Sequence, residues 1–391
     1  MMNHDATPTG HGLPLARRRS LVLALAGSAA LAALPAGAQP AAGKGDILIG
    51  RSTALTGGMA PFLAPLHEGQ EAAIADANAK GGIGGRKIRL VSLDDGFDPR
   101  RTLENAKQLN EKDGVLALLG VSGTSQVMTL LPYLAQAKLP LIGVYTGSPA
   151  IRAQQHPYLF TTRASYADEL VKIVRNLVAV QSSRIGVAFE NNDFGKLLLP
   201  LVEKTIAAEG ASLAGTHALA AAGEDASEAA KALAAQRPQA VLLIAAGPPV
   251  VAYVRAHRAH LGVPVYTLSL GAGTAMLKAL GEDARGLAVA RTGPSPSKPT
   301  IQLTRDFQAS MKHHDKPVDY DRYTGYMDAR VLIEGLRAAG PGVTRASLVQ
   351  GMESLGNLDL GGYAYQFSPQ NHHGSNYVDI AVVGSGGVFR Q

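Results

Sequence analysis

Two short loops place hydroxyl groups and free backbone donors where a small anion could be held. Gly120-Val121-Ser122-Gly123-Thr124-Ser125-Gln126 follows an apolar run and enters a helical pattern. Gly143-Val144-Tyr145-Thr146-Gly147-Ser148-Pro149 repeats the arrangement one unit later. The first N–H groups of a helix have no acceptor within it, so a Ser/Thr/Gly loop there forms a receptor for carboxylate or phosphate. Two adjacent receptors of this kind could clamp one carboxylate without any Arg. Ordinary helix capping uses the same residue types, so either loop alone is open to both readings. A third loop, Glu190-Asn191-Asn192-Asp193-Phe194-Gly195, stands at the same point of a later unit. There Phe194 could cover a ligand from the opposite side and Asp193 could accept from one of its donors; a cap beside a packed aromatic explains the loop as well.

Patterns for catalysis and metal binding are missing. The chain has no Cys, which removes thiol nucleophiles, Cys-based zinc sites and disulfides. Gly81-Gly82-Ile83-Gly84-Gly85 follows a helical run and precedes a strand-like one, the reverse of the order in nucleotide loops, and reads as a turn. No G-x-x-x-x-G-K-[ST] run occurs, and Thr124 stands where the last Gly of a nucleophile elbow would be. His257 and His260 are one residue short of a metal pair on one helix face, and they read as a solvated face. The adjacent pairs His313-His314 and His372-His373 point in different directions. No nucleophile, base and orienting group come together, so neither an enzyme nor a cofactor or metal requirement is expected.

The elements that must position the loops alternate with little interruption. Strand patterns are read at Asp46–Thr53, Lys87–Leu93, Val115–Gly120 and Leu139–Val144, with helical ones at Leu63–Lys80, Arg100–Lys112 and Thr124–Ala137 between them. Asp98-Pro99 opens the second helix as a cap followed by a first-turn proline. The rhythm resumes with helices at Tyr166–Val180, Phe194–Glu209, Ala226–Gln236 and Pro249–His260, alternating with strands at Arg184–Phe189, Ala211–Ala218, Ala240–Ala245 and Val263–Leu268, and the pattern changes beyond Gly286–Ala290. Such alternation with short connections implies parallel sheets covered by helices on both faces, and two runs imply two doubly wound lobes. Beyond the prolines at 294, 296 and 299 come three helices (Thr300–His314, Asp321–Ala339, Arg345–Ser354) and a β-like end at Leu358–Phe367 and Tyr377–Val383.

The chain of 391 residues is 46% hydrophobic and only 5% aromatic, enough for two cores of closely packed helices. At the N-terminus Arg17-Arg18-Arg19 precede an apolar run from Leu21 to Leu34 and the small-residue stretch Pro35-Ala36-Gly37-Ala38. This is the layout of an export signal cleaved between Ala38 and Gln39; the run is shorter than the about 18–20 residues of a spanning helix. Residues 1–38 hold three Arg and one Asp, so their removal lowers the formal charge of +6 by two. No dense basic run remains, which argues against nucleic-acid binding.

Several stretches together carry a family pattern: Ala54-Leu55-Thr56-Gly57-Gly58, Ala75-Asp76-Ala77-Asn78-Ala79-Lys80-Gly81-Gly82-Ile83-Gly84-Gly85, Leu93-Asp94-Asp95-Gly96-Phe97-Asp98-Pro99, the helix Tyr323-Thr324-Gly325-Tyr326-Met327-Asp328-Ala329 and the strand Tyr365-Gln366-Phe367-Ser368. From about residue 45 to the end the chain resembles the periplasmic branched-chain amino acid binding proteins of ABC transporters. The resemblance implies an α/β fold of two Rossmann-like lobes joined by three crossovers, near Thr162–Ala164, Thr292–Pro296 and Ser354–Asn357. Lobe 1 would then comprise residues 39–162 and 297–354, and lobe 2 residues 163–296 and 355–391. It also implies that Ser122, Tyr145 and Gly147, with Thr146 between them, hold a ligand carboxylate, and that Phe62 and Phe194 flank the ligand. Where such proteins place an acid for the ligand's amino group, this chain has Tyr266-Thr267-Leu268-Ser269-Leu270-Gly271, leaving Ser269 as the polar group; Asp193 is the nearest substitute. An ammonium left unpaired in a closed cleft costs several kcal/mol, so an amine-free aromatic or short aliphatic acid fits alongside an amino acid. Ala246-Gly247 stands where an aromatic is usual and leaves room for a larger ligand.

The expected function is that of an exported, monomeric solute-binding protein delivering a carboxylate-bearing small molecule to an ABC transporter permease in the inner membrane. A periplasmic sensor presenting the same solute to a membrane receptor is the alternative, because fold alone does not fix function.

Overall fold

Ala240–Ile244 is too short for a helix and is buried at every position, the signature of a strand covered on both faces. That pattern recurs through the computed structural model, which describes residues 45–387, 389 and 390. The expected export segment, from Arg17–Arg19 to the Ala38–Gln39 junction, lies outside the described residues.

The first half forms β1 (Ile47–Thr53), α1 (Ala60–Ala79), β2 (Ile88–Asp94), α2 (Pro99–Glu111), β3 (Ala117–Leu119), α3 (Thr124–Ala137), β4 (Leu141–Ile142), α4 (Pro149–Arg152) and β5 (Leu159–Phe160). Its strands make a five-stranded sheet in the order β2-β1-β3-β4-β5, parallel throughout. The second half forms α5 (Tyr166–Ala179), β6 (Arg184–Glu190), α6 (Asp193–Ala208), β7 (Ser212–Leu219), α7 (Ala226–Ala235), β8 (Ala240–Ile244), α8 (Pro248–His260), β9 (Val265–Thr267), α9 (Thr274–Leu280) and β10 (Ala288–Arg291). Then follow α10 (Gln302–His313), α11 (Tyr320–Ala339), α12 (Arg345–Ser354), the hairpin β11 (Asn357–Asp359) and β12 (Ala364–Gln366), β13 (Asp379–Val383) and β14 (Phe389–Arg390). The second sheet has the order β14-β13-β10-β9-β8-β6-β7, with β13 and β14 antiparallel and the rest parallel.

Each sheet is sandwiched between two apolar layers. One face of the first sheet packs against α1 and α10–α12, the other against α2 and α3. The second sheet is covered by α7–α9 on one side and by α5 and α6 on the other. Leu360, Tyr363, Tyr365 and Phe367 are part of the first sheet's core. The chain therefore rejoins the second sheet only at β13, later than the Ser354–Asn357 crossover expected from sequence. The aromatic residues after β11 share this core with α10 and α11, Phe367 meeting Phe160 of β5 edge-on, and burial decides the side they take.

Helix starts follow local chemistry. The Asp98 carboxylate accepts from the Arg100 N–H ahead of Pro99, and Ser165 with Asp168 forms a reciprocal cap on α5. Helix α1 begins three residues before the expected Leu63, with Pro61 in the first turn, where a missing N–H costs nothing. Gly69 of α1 and Gly325 of α11 face each other's helix so closely that a Cβ at either would lie 1.9 Å from a backbone carbonyl. This backbone-to-backbone contact fixes the start of α11, and with it Asp321.

In both sheets the strand order reverses between two neighbours, β1/β3 in the first and β6/β8 in the second. Ligands of open parallel sheets bind outside the carboxyl ends of strands at such switch points. The loops after β3, β6 and β8 all reach one cavity.

Candidate functional site

The first wall is built where β3 runs into α3. Gly120 (φ +74°) and Gly123 (φ +99°) turn the chain in the left-handed region, and a Cβ at either would collide with a glutamine side chain, Gln70 or Gln126. Gly123 is the cap residue of α3 and brings no side-chain acceptor, so the first N–H groups of the helix keep their positive end toward the cavity. Ser122 and Thr124 are buried there. The Ser122 hydroxyl donates only to Gly120 O, at 3.4 Å. This loop zips to the one after β4: the Tyr145 N–H donates to Val121 O at 2.9 Å, and the Gly123 N–H to Tyr145 O.

The second wall is built where β6 runs into α6. Asn192 caps the helix by accepting from the Gly195 N–H at 3.0 Å. A Cβ on Gly195 would lie 1.9 Å from Glu190 O, so the turn tolerates no larger residue. The Glu190 carboxylate accepts from Asn192 Nδ2 at 2.7 Å and from the Ala246 N–H at 3.2 Å. Burial pushes its pKa up to about 7, against the pull of the Ala246 N–H. Phe194 packs edge-on against Tyr166 with ring centres 5.4 Å apart.

Between these walls lies a cavity of about 470 Å³. Met59, Phe62, Phe97, Phe194, Leu270 and Met276 give it apolar sides, while Ser122, Thr124, Glu190, Asp193, Lys196 and Asp321 bring polar groups. Its composition is that of a small-molecule site, mostly apolar with a few converging polar groups. At the rim the Ser125 hydroxyl donates to Asp193 Oδ2 at 3.1 Å, joining the starts of α3 and α6.

Of the residues expected from sequence, Phe62, Ser122, Tyr145, Asp193 and Phe194 line this cavity; Thr146, Gly147 and Ser269 do not. The buried Thr146 hydroxyl faces those of Thr124 and Tyr166 instead. Gly147 is wedged against Tyr166 and the Ala164 carbonyl. Ser269 turns away from the cavity: its N–H and hydroxyl both donate to the Glu169 carboxylate, at 2.7 and 2.8 Å.

Behind the cavity floor, Arg163 pairs with Glu169 at 3.7 Å, donates to Ser269 and lies over the Tyr145 ring at 4.8 Å. Burial raises the Glu169 carboxyl, and Arg163 and the two Ser269 donors oppose it. Asp321 accepts from the Thr274 N–H at 2.6 Å and from the Tyr145 hydroxyl at 3.4 Å. Burial raises its pKa too, against the pull of the Thr274 N–H and of nearby Arg291.

Sequence reasoning did not single out Glu190 or Asp321 as site residues. A signal existed for Glu190, since a charged residue ending a buried parallel strand stands at the ligand edge of the sheet. Asp321 had none, because a helix far along the chain delivers it. The histidines also differ from expectation. His257 is buried, not solvated: its Nε2 bonds Val263 O at 2.8 Å and its ring lies beside Tyr253, while His260 stays exposed. The turn after α8 folds back over His257 and covers it. Among the described residues no group of three His, Cys, Asp or Glu could hold a metal ion, and no helix is long and apolar enough to cross a membrane.

Comparison with known proteins gives the same fold. A substrate-binding periplasmic protein from Ralstonia solanacearum superimposes with a TM-score of 0.81 at 30% identity, over 88% of this chain and 99% of that one. A possible leucine/isoleucine/valine-binding protein from Rhodopirellula baltica SH 1 gives 0.81 at 26% identity, over 89% and 96%. Among curated sequences, Leu/Ile/Val-binding protein homolog 2 of Brucella abortus (strain 2308) is 43% identical over 75 residues, 19% of this chain and 20% of the relative. The Leu/Ile/Val-binding protein of Escherichia coli (strain K12) is 24% identical over 159 residues, 40% of this chain and 43% of the relative. These matches thus span a fifth to two-fifths of the curated relatives' length. The family described as periplasmic binding protein matches residues 46–387; with its two parallel-rich sheets meeting at one cavity, the chain belongs to that family and has its type I fold.

Proposed function

We propose that this protein is the extracytoplasmic capture component of an ABC importer, holding a small carboxylate-bearing solute between two lobes and presenting the closed form to a permease in the inner membrane. The observation that supports this most is the cavity at both switch points, with the uncapped first turn of α3 and Ser122 on one wall. Ser122 and the α3 N–H groups would take the carboxylate, Phe62 and Phe194 would cover the body of the solute, and Tyr145 would close the floor. The Leu/Ile/Val-binding names of the curated relatives favour an amino acid among such solutes. In this reading the lobes are residues 45–162 and 297–367 against 163–296, 379–387, 389 and 390, with the third crossover placed beyond the hairpin that packs on the first sheet.

A solute bound by both walls stabilises the closed form by its differential affinity for that form. A thermal-shift screen of amino acids and organic acids tests the reading. A solute at about 100 times its Kd adds about 2.7 kcal/mol of stability, a visible rise in Tm. Such a rise, reduced in Ser122→Ala, is the expected result; a screen in which no carboxylate raises Tm overturns it.

A further inference from the structure

The cavity contains three carboxylates, and only one of them lacks both a charged partner and a structural task. Asp193 bridges the rim through Ser125. Asp321 ties Thr274 to Tyr145 in the field of Arg291. Glu190, at 9% exposure, accepts only from an amide side chain and a backbone N–H, and no charged group acts on it. Its partner across β7 is Leu219, and on the β8 side the ladder ends one residue earlier, at Phe189 and Ile244. Buried ionisable groups are ordinarily paired, or sit at sites where something else completes them. Ala246 and Gly247 have no bulk to fill the space beside the carboxylate, and both line the cavity with it.

We propose that Glu190 is the specificity-determining acid of the cleft, taking a positively charged nitrogen of the solute against the carboxyl end of β6. This rests on the reading of the opposite wall as a carboxylate receptor and adds the second charge that the solute must carry. The acid expected after β9 is thus supplied from β6, where the sequence around Ser269 has none. The other charged and titratable groups facing the cavity are Asp193 and Lys196 from α6, Asp321 from α11, and the phenols of Tyr145 and Tyr166. Near neutral pH a cation beside Glu190 holds it as carboxylate, so the half-protonated group gives up its proton on binding.

Matched pairs of probes test this in isothermal titration calorimetry: L-leucine with 4-methylpentanoate, and L-phenylalanine with 3-phenylpropanoate, each on the wild-type protein and on Glu190→Gln and Glu190→Asp. An amine-bearing member should bind about thirtyfold or more tightly than its amine-free partner. Glu190→Gln should remove that preference, with partial recovery in Glu190→Asp. Heats measured in buffers of different ionisation enthalpy at about pH 6.5 should show proton release for wild type and none for Glu190→Gln. Unfolding curves check that the variants fold, which removal of a buried charge favours. Equal binding within each pair, or a preference that survives in Glu190→Gln, overturns the role of Glu190 and leaves the carboxylate reading standing. Absence of binding by every member of both pairs overturns the carboxylate reading itself.

Discussion

Glu169 and Glu190 are both buried acids on the second sheet's side, yet their surroundings differ in kind. Glu169 is fully buried in a closed circuit, with Arg163 at 3.7 Å and two donors from Ser269. Glu190 has two neutral donors, no cation, and a cavity on its open side. Desolvation raises both, but in the first case the chain supplies the compensating charge and in the second it does not. The first arrangement holds the floor of the site in place, because Arg163 also lies over the Tyr145 ring. The second keeps an uncompensated charge at a surface that a solute can reach. A ligand-binding wall, on this comparison, is recognised by the polar group that folding leaves incomplete.

The largest effect should come from opening the closed circuit. Arg163→Ala strands the Glu169 carboxylate in the core and should cost about 3–5 kcal/mol, read as a drop in urea midpoint; a loss below about 1 kcal/mol would make Glu169 and Glu190 equivalent and break the contrast.

Glu190→Gln should do the reverse, with a definite pH dependence. Its folded pKa of about 7 lies above the ordinary 4.5. Between those values the folded protein binds more protons than the unfolded chain, so stability falls as pH rises through this window. The variant lacks that penalty: without ligand it should match wild type below the window and exceed it by up to about 3 kcal/mol above it, at 1.36 kcal/mol per pKa unit. His67, held neutral by burial with its pKa lowered to about 3, contributes the opposite slope to both proteins and cancels in the difference. Parallel wild-type and variant curves from pH 5 to pH 8 would mean that Glu190 has a partner after all.

On the opposite wall, Ser122→Ala should weaken binding of the best carboxylate by about tenfold, the worth of one hydrogen bond to a charged group, with little change in unfolding. Equal affinity would move the carboxylate away from α3. The smallest effect belongs to the rim, where Ser125→Ala removes the bond to Asp193 and should cost about 0.5–1 kcal/mol, seen as a slight Tm decrease in the ligand-free protein.

The sheet-and-helix alternation was legible because it depends on local patterns. Ala240–Ile244 is apolar throughout, Thr124–Ala137 begins after a glycine turn, and Asp98-Pro99 starts a helix as its chemistry requires. Five of the eight expected site residues line the cavity, and each sits in, or just after, a strand-to-helix turn. The three that lie off the cavity have a common reason. Ser269 lies at the end of β9, but Glu169 from a different helix captures its side chain. Thr146 and Gly147 lie beside a true lining residue, yet Tyr166 fills the space in front of them.

What the sequence determined by itself was most of the elements, β5 and α9 excepted, their winding and the loops that face a ligand, since strand periodicity, capping and turn glycines act over a few residues. Only the tertiary structure decided that Asp321 reaches the cavity, that Phe367 and its neighbours join the first core, and that Glu190 rather than Glu169 lacks a cation. Those outcomes depend on which distant side chains meet. Desolvation makes a buried charge depend on every neighbour that folding brings to it, however far away along the chain.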